Sequence, residues 1–415
     1  MKTKTMTAVE NTTAIAQAVT LPTREFTQEL EWVARFTDKE TTIPILGNVL
    51  MEFGRRTLTM TGTDLELGAV ATMATRYTGK PFSVTVPASL ALKYLKKVKD
   101  DATITITNAF KETTHVRATE KQPDLEPEVT RYYGLTISHG EDSEVSIDGM
   151  ARDSYPELPV FKGERGVLEG IKTAIPRIAI AISKKESRFT LHGSLLICGA
   201  DRVQWISTDG HRLAISESSA NPKWEGRVLI PAQALTELAR LSDSFEFGVD
   251  ENHSFFYSEN RQIVARKLTG NFPDYERVMP KNTTHSVTVE AAALARVIDR
   301  VSLFTDERSK ATIFTLKDQK LIVEAHVSDK GKAKGAVAAT WAEPNEFVIG
   351  LNCGYVTDFL KVIPPEVAFD VALRDYNAIT VMTAEEGEKP KQTSCNEAIT
   401  LQIPGFRYVV MPIKL

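Results

Sequence analysis

Val84-Thr-Val-Pro-Ala-Ser-Leu-Ala-Leu-Lys-Tyr-Leu-Lys-Lys97 and Val228-Leu-Ile-Pro-Ala-Gln-Ala-Leu-Thr-Glu-Leu-Ala-Arg-Leu241 follow one pattern: a short apolar strand, a proline, then an amphipathic helix. A third copy starts at Phe347-Val-Ile-Gly-Leu-Asn352 and continues through Tyr355, Phe359, Leu360 and Val362. Self-similarity at long intervals is the mark of a repeated structural unit. Pro87 and Pro231 hold the same place in two copies, and proline suits the first helical turn because its missing N–H has no partner there. A second helical pattern lies upstream of each copy, at about 26–36, 168–180 and 294–304. In the last of these, Leu294, Val297, Ile298 and Val301 make one apolar face. Alternating segments such as Thr57–Met60, Leu195–Ile197, Val203–Ile206 and Leu321–Ala325 follow these helices and read as strands. The reading is α+β: three repeated units, each with helices on one face of antiparallel sheets. Boundaries fall at Pro-rich joints, giving 1–158, 159–281 and 282–415.

Two tracts interrupt the repeats. One runs from about Lys111 to Ser146 and includes Glu120-Lys-Gln-Pro-Asp-Leu-Glu-Pro-Glu128; the other is Ala384–Ser394. Both are polar enough to read as exposed loops or long hairpins, and the first is expected to be dispensable to the basic ring.

Composition narrows the function. The chain has 415 residues, with 54 acidic against 50 basic side chains. The slight acidic excess does not exclude nucleic acid, because a local basic surface decides phosphate contact. Cys198, Cys353 and Cys395 are far apart and form no CxxC pair, so no zinc ribbon or redox pair is expected. The N-terminal twenty residues carry Lys2, Lys4 and Glu10 without an apolar run and do not read as a signal peptide. A cytoplasmic location without a membrane partner is the expectation. The seven histidines are dispersed, and there is no HExxH, GxSxG or Walker A string. No catalytic residue, cofactor or metal is expected. An enzymatic alternative would be a nuclease using Asp64, Asp209 and His211, of which Asp64 and Asp209 occupy related repeat positions.

Five ordered strings carry a resemblance: Thr42-Ile-Pro-Ile-Leu-Gly-Asn48, Thr61-Gly-Thr-Asp-Leu-Glu66, Ser207-Thr-Asp-Gly-His-Arg-Leu-Ala214, Asn271-Phe-Pro-Asp-Tyr-Glu-Arg-Val-Met-Pro280 and Tyr408-Val-Val-Met-Pro-Ile-Lys-Leu415. Together the sequence resembles the beta subunit of bacterial DNA polymerase III, the sliding clamp family. The resemblance implies three DNA-clamp domains, and a head-to-tail homodimer forming a ring with helices lining the hole and sheets outside. Double-stranded DNA would pass through the hole, held by enclosure and backbone contact. The implied role is a non-catalytic processivity factor. Implied partners are the replicative DNA polymerase catalytic subunit, the clamp loader and other clamp-binding replication and repair proteins. The family's peptide-binding pocket maps onto Leu191, Thr208, Gly210, His211, Arg212, Leu213, Pro273, Arg277, Val278, Asn352, Tyr355, Val409, Val410, Met411, Pro412, Ile413 and Leu415. Candidate DNA contacts on the repeated helices are Lys93, Lys96, Lys97, Lys172, Arg177, Arg240, Arg296 and Arg300, whose charges attract phosphate. Glu40 and Ala232–Gln233 stand where the family has basic residues. They motivate the alternative of a clamp-like peptide-binding scaffold or regulator that does not encircle DNA.

Overall fold

The computed structural model describes residues 18–38, 40–99, 103–108, 111–115, 128–140, 143–185, 189–200, 202–279, 283–328, 331–341, 346–374, 394–395 and 398–413. Among them a strand–helix–strands module recurs six times, two modules to a repeat. The first repeat contains β1 (Ala18–Pro22), α1 (Thr23–Val33), β2 (Asn48–Phe53), β3 (Thr57–Thr63) and β4 (Leu67–Ala74). Its second module is β5 (Phe82–Pro87), α2 (Ala88–Leu95), β6 (Thr103–Asn108), β7 (Lys111–His115), β8 (Glu128–His139) and β9 (Ser143–Gly149). The middle repeat begins with β10 (Gly166–Leu168), α3 (Ile171–Ala179), β11 (Gly193–Cys198), β12 (Arg202–Thr208) and β13 (Arg212–Ser219). It continues as β14 (Gly226–Pro231), α4 (Ala232–Leu241), β15 (Phe245–Val249), β16 (His253–Ser258) and β17 (Arg261–Arg266). The last repeat has β18 (Thr283–Glu290), α5 (Ala291–Val301), β19 (Ala311–Lys317), β20 (Lys320–Val327) and β21 (Gly331–Ala338). It closes with β22 (Phe347–Asn352), α6 (Cys353–Lys361), β23 (Ala368–Arg374), β24 (Ser394–Cys395), β25 (Ile399–Ile403) and β26 (Phe406–Val410). The two modules of a repeat are tied in one way throughout: β2 pairs β5, β11 pairs β14 and β19 pairs β22, each antiparallel. The two helices of each repeat touch.

Pro87 and Pro231 sit one place earlier than the first helical turn. Each is the extended last residue of its strand, with φ near −60° and ψ of 102° and 146°. Proline's fixed φ suits this strand-to-helix corner as well as it suits a helix start. In the third copy Asn352 holds the corner, and its side chain accepts the Gly354 N–H at 2.8 Å.

By contacts the chain divides into one unit of Met1–Gly163 with Val249–Arg266 and another of Glu164–Gly248 with Lys267–Leu415. In the first unit β17 pairs antiparallel with β4, which is why middle-repeat strands group with the first repeat. Arg261 of β17 also clasps Glu29 of α1 through two bonds of 2.8 and 3.0 Å and lies 4.9 Å over the Trp32 ring. The tract after Lys111 is not an appendage. β8 pairs with β6 and β9, and Leu135 and Ile137 are fully buried. Only 116–127 and 141–142 of it lie outside the described residues, as does 384–393 of the second tract. In the second unit β13 pairs with β26, making a sheet in the order β14-β11-β12-β13-β26-β25-β23-β18. Alternation along β26 sends Phe406, Tyr408 and Val410 to one face and Val409 to the other. Phe406 and Tyr408 stack on Phe359 of α6.

Candidate peptide-binding groove

The groove forms around the turn between β12 and β13. Thr208 Oγ1 donates to the Arg212 carbonyl at 2.7 Å and accepts the Gly210 N–H at 3.1 Å. Asp209 Oδ1 accepts the N–H groups of His211 and Arg212 at 2.9 and 3.1 Å. Gly210 has φ +88°, a left-handed conformation that glycine adopts without steric cost. The first repeat builds the same turn: Thr63 bonds Leu67 O, and Asp64 accepts the N–H groups of Glu66 and Leu67. Asp64 and Asp209 are thus turn-formers in both copies, and this shared turn accounts for their related repeat positions.

The turn delivers Arg212 and Leu213 into β13, opposite Val410 and Val409 of β26. The Met411 N–H donates to the His211 carbonyl at 3.0 Å, so the chain end is stitched along the turn. Between these elements and the single turn Tyr275–Arg277 lies a cavity of about 140 Å³. Its walls include Leu191, Thr208, Gly210, Arg212, Leu213, Pro273, Val278, Val409 and Met411, nine of the residues singled out from sequence. Beneath it Leu213 and Val409 pack with Leu195, Ile206, Ile215 and Leu229, so the floor is part of the core. Met411 and Val278 are 40% and 43% exposed, which puts large apolar groups at the rim.

Arg212 is the polar centre of the wall, with a side chain 12% exposed. Nε donates to Asp209 Oδ2 at 3.0 Å, Nη1 to Asp358 Oδ2 at 2.6 Å and to Tyr408 Oη at 3.0 Å. The guanidinium lies 4.4 Å over the Tyr355 ring. Burial by itself would lower its pKa; Tyr408, Asp358 and Asp209 reverse that and hold it above the ordinary arginine value. The same burial raises Tyr408 and Tyr355 above the ordinary phenol value.

Other expected groove residues lie elsewhere. Val410 is fully buried on the face of β26 opposite Val409. Asn352 caps α6. Ile413 donates its N–H to Gly350 O at 2.8 Å, so the tail leaves the groove and ties to β22, with half-buried Pro412 between. His211 is exposed, touching the tail through its carbonyl. Arg277 is 84% exposed and pairs with Asp274 at 2.8 Å. Leu415 lies outside the described residues. Asp274 and Tyr275 line the cavity and were missed, although both lie in the quoted string 271–280. Asp358 was also missed. Phe189, two residues before Leu191, is 73% exposed.

The helix cations divide into three groups. Lys93, Lys97, Lys172, Arg296 and Arg300 are exposed. Lys96 pairs with Glu31 at 2.8 Å and Arg240 with Glu237 at 2.7 Å. Arg177 is half-buried with its guanidinium 5.4 Å over the Phe406 ring; burial lowers its pKa, and its Nε has no partner among the described residues. It is a packing residue more than a presented charge. No helix among the described residues is long and apolar enough to cross a membrane.

Residues 18–159, 168–274 and 276–393 match the family models for the N-terminal, central and C-terminal domains of the DNA polymerase III beta subunit. The chain is 26% identical over 395 residues to the beta sliding clamp of Pseudomonas putida, covering 93% of this chain and 96% of the relative. It is 27% identical to that of Synechocystis sp., with the same coverage. In fold it is similar to the DNA polymerase III subunit beta of Pseudomonas aeruginosa, with TM-score 0.79, 22% identity, and 96% of this chain and all of that one covered. A Pseudomonas aeruginosa DnaN sliding clamp bound to griselimycin superposes with TM-score 0.80 at 22% identity and the same coverage.

Proposed function

The chain belongs to the DNA polymerase III beta subunit family, and on that premise we propose that it is a processivity factor which encircles duplex DNA and tethers other replication proteins through the groove at 208–213. The observation that carries the tethering is that groove: an apolar floor continuous with the core, a rim of exposed Val278 and Met411, and a fixed arginine in its wall. Such a concave site, mostly apolar with one convergent polar group, suits a short apolar peptide. Its client would be the polymerase catalytic subunit or the clamp loader.

Encirclement follows from strand edges. β4 and β13 end the first modules of their repeats, and each pairs with the last strand of the next repeat, β17 and β26. β21 is the equivalent strand of the last repeat and pairs only with β20 among the described residues. β9 is the equivalent of β17 and β26 and, among the described residues, pairs only with β8. An unpaired edge is a template for another strand. β21 of one copy would take β9 of a second, head to tail, and a heterologous contact of this kind that closes after two copies gives a ring. The exposed charges on the two edges are opposite and so attract, with Lys332 and Lys334 on β21 and Glu144 and Asp148 on β9. Exposed Leu303 lies beside β21. The paired helices would then face the DNA with Lys93, Lys97, Lys172, Arg296 and Arg300. Loading onto nicked circular DNA tests this: the protein should stay with the circle and leave when the circle is cut. Griselimycin, to which a similar Pseudomonas aeruginosa clamp is bound, is proposed to enter this groove, and its binding without topological retention would instead identify a peptide-binding scaffold.

A further inference from the structure

Asp358 does not line the groove, yet it makes the shortest contact of the arginine that does. Of the two carboxylates on Arg212, Asp209 belongs to the same turn and already accepts two of its N–H groups. Asp358 comes from α6, in the last repeat, and its Oδ2 lies 2.6 Å from Nη1. One helical turn before it, Tyr355 offers its ring face to the same guanidinium at 4.4 Å. Residues three apart on a helix share a face. One face of α6 therefore grips Arg212 from above while Tyr408 Oη meets Nη1 at 3.0 Å from β26.

We infer that Asp358 is a positioning residue for ligand binding: it orients Arg212 across the seam between the middle and last repeats and so fixes the groove's polar wall. This rests on the proposed role of the groove. Without Asp358 the arginine keeps Asp209, Tyr408 and the Tyr355 ring but loses its shortest hydrogen bond, the one that fixes the rotation of its guanidinium against that ring. A ligand must then order that side chain on binding, which weakens affinity.

The test uses the full chain with griselimycin as probe, by calorimetric titration beside a melting curve. Asp358→Asn keeps the shape and removes the charge, and should weaken binding about tenfold; Asp358→Glu should recover part of the loss. In an Arg212→Gln background, Asp358→Asn should cost nothing further, because its effect passes through the arginine; independent effects would multiply. Parent-like binding by Asp358→Asn, or an undiminished loss in the Arg212→Gln background, overturns the inference. Asp358→Ala serves in the same design if the asparagine variant folds poorly. Met411→Ala separates the two readings. If it weakens binding while Asp358→Asn does not, only the positioning role fails; if neither changes binding, the groove assignment fails with it.

Discussion

Gly210 at φ +88° and Leu65 at φ +76° occupy the same point of the same turn in two repeats. The first repeat shows that the turn closes with a side chain at this position, at the cost of about 1–2 kcal/mol that a left-handed conformation imposes on an L-residue. Gly210→Ala should therefore fold, lose about 1 kcal/mol of stability in urea denaturation, and bind griselimycin more weakly, because Thr208 and Arg212 both hang on this turn. Unchanged stability would show that the turn relaxes freely. Cys198 gives a pH test. Burial pushes its thiol from 9.0 up to about 12. The neutral thiol is favoured in the folded state, so this contribution is complete below about pH 9. It is lost as pH rises towards 12, because the unfolded chain then releases a proton the native state holds. Native protein at pH 8 should leave Cys198 unalkylated by iodoacetamide, with modification appearing only in urea, as peptide mass mapping would report. Single residues were legible where a string set local geometry, as in Ser207–Ala214. Val410 and Asp358 were not, because the face of a strand and a partner from a distant helix are decided by packing.

Helices were the elements most readable in the sequence, and α5 shows why. Leu294, Val297, Ile298 and Val301 repeat at helical spacing, and all are buried. The strands that open the first two repeats were missed: β10 has three residues, and β1 carries only Val19 and Leu21 as a buried stripe. So short a signal is lost among loops, and pairing alone makes these strands visible. The tract after Lys111 misled for the opposite reason. Its charged centre hid the alternation of Leu135 and Ile137, each worth roughly 1.5–3 kcal/mol when fully buried. His115 pairs with Glu128, so the ends of β7 and β8 already stand opposite each other. Replacing 116–127 by Asn-Gly, which suits a two-residue hairpin, should leave the melting temperature within a few degrees of the parent. Removing 128–139 as well should abolish cooperative melting of the first unit. Equal tolerance of both deletions would show that β8 is not part of that core.

Across the whole molecule, two successive joints share a design, yet one holds an open groove. At the first, Gly68 stands where the second has Leu213, and Leu158 packs so closely on it that an added Cβ would come within 2.5 Å. Arg266 and Glu66 pair at 3.0 Å where the second joint has Met411 and His211. A linker leucine and an ion pair thus take the place of an apolar rim, and an apolar ligand has nothing to enter. The same comparison of equivalent positions yields the assembly prediction. Strands β4 and β13 are each covered by a last strand, and among the described residues β21 is left over with β9. Leu303, 72% exposed beside β21, is costly to leave in water and gains by burial against another copy. Leu303→Asp sets a charge there without touching the core, since the side chain packs little in its own chain. The parent should sediment at twice 46.0 kDa at micromolar concentration and the variant near 46.0 kDa, with an unchanged circular dichroism spectrum. Griselimycin should bind both equally, because every wall of the groove lies within one contact unit of a single chain. The variant should also fail to stay on circular DNA. A Leu303→Asp protein that remains dimeric would move the contact away from this edge, and a parent that is monomeric throughout would remove the ring itself. Dimerisation through β9 and β21 further predicts that Glu144→Lys weakens the parent dimer while Glu144→Lys with Lys332→Glu restores it, since only strands paired between copies return the charge balance.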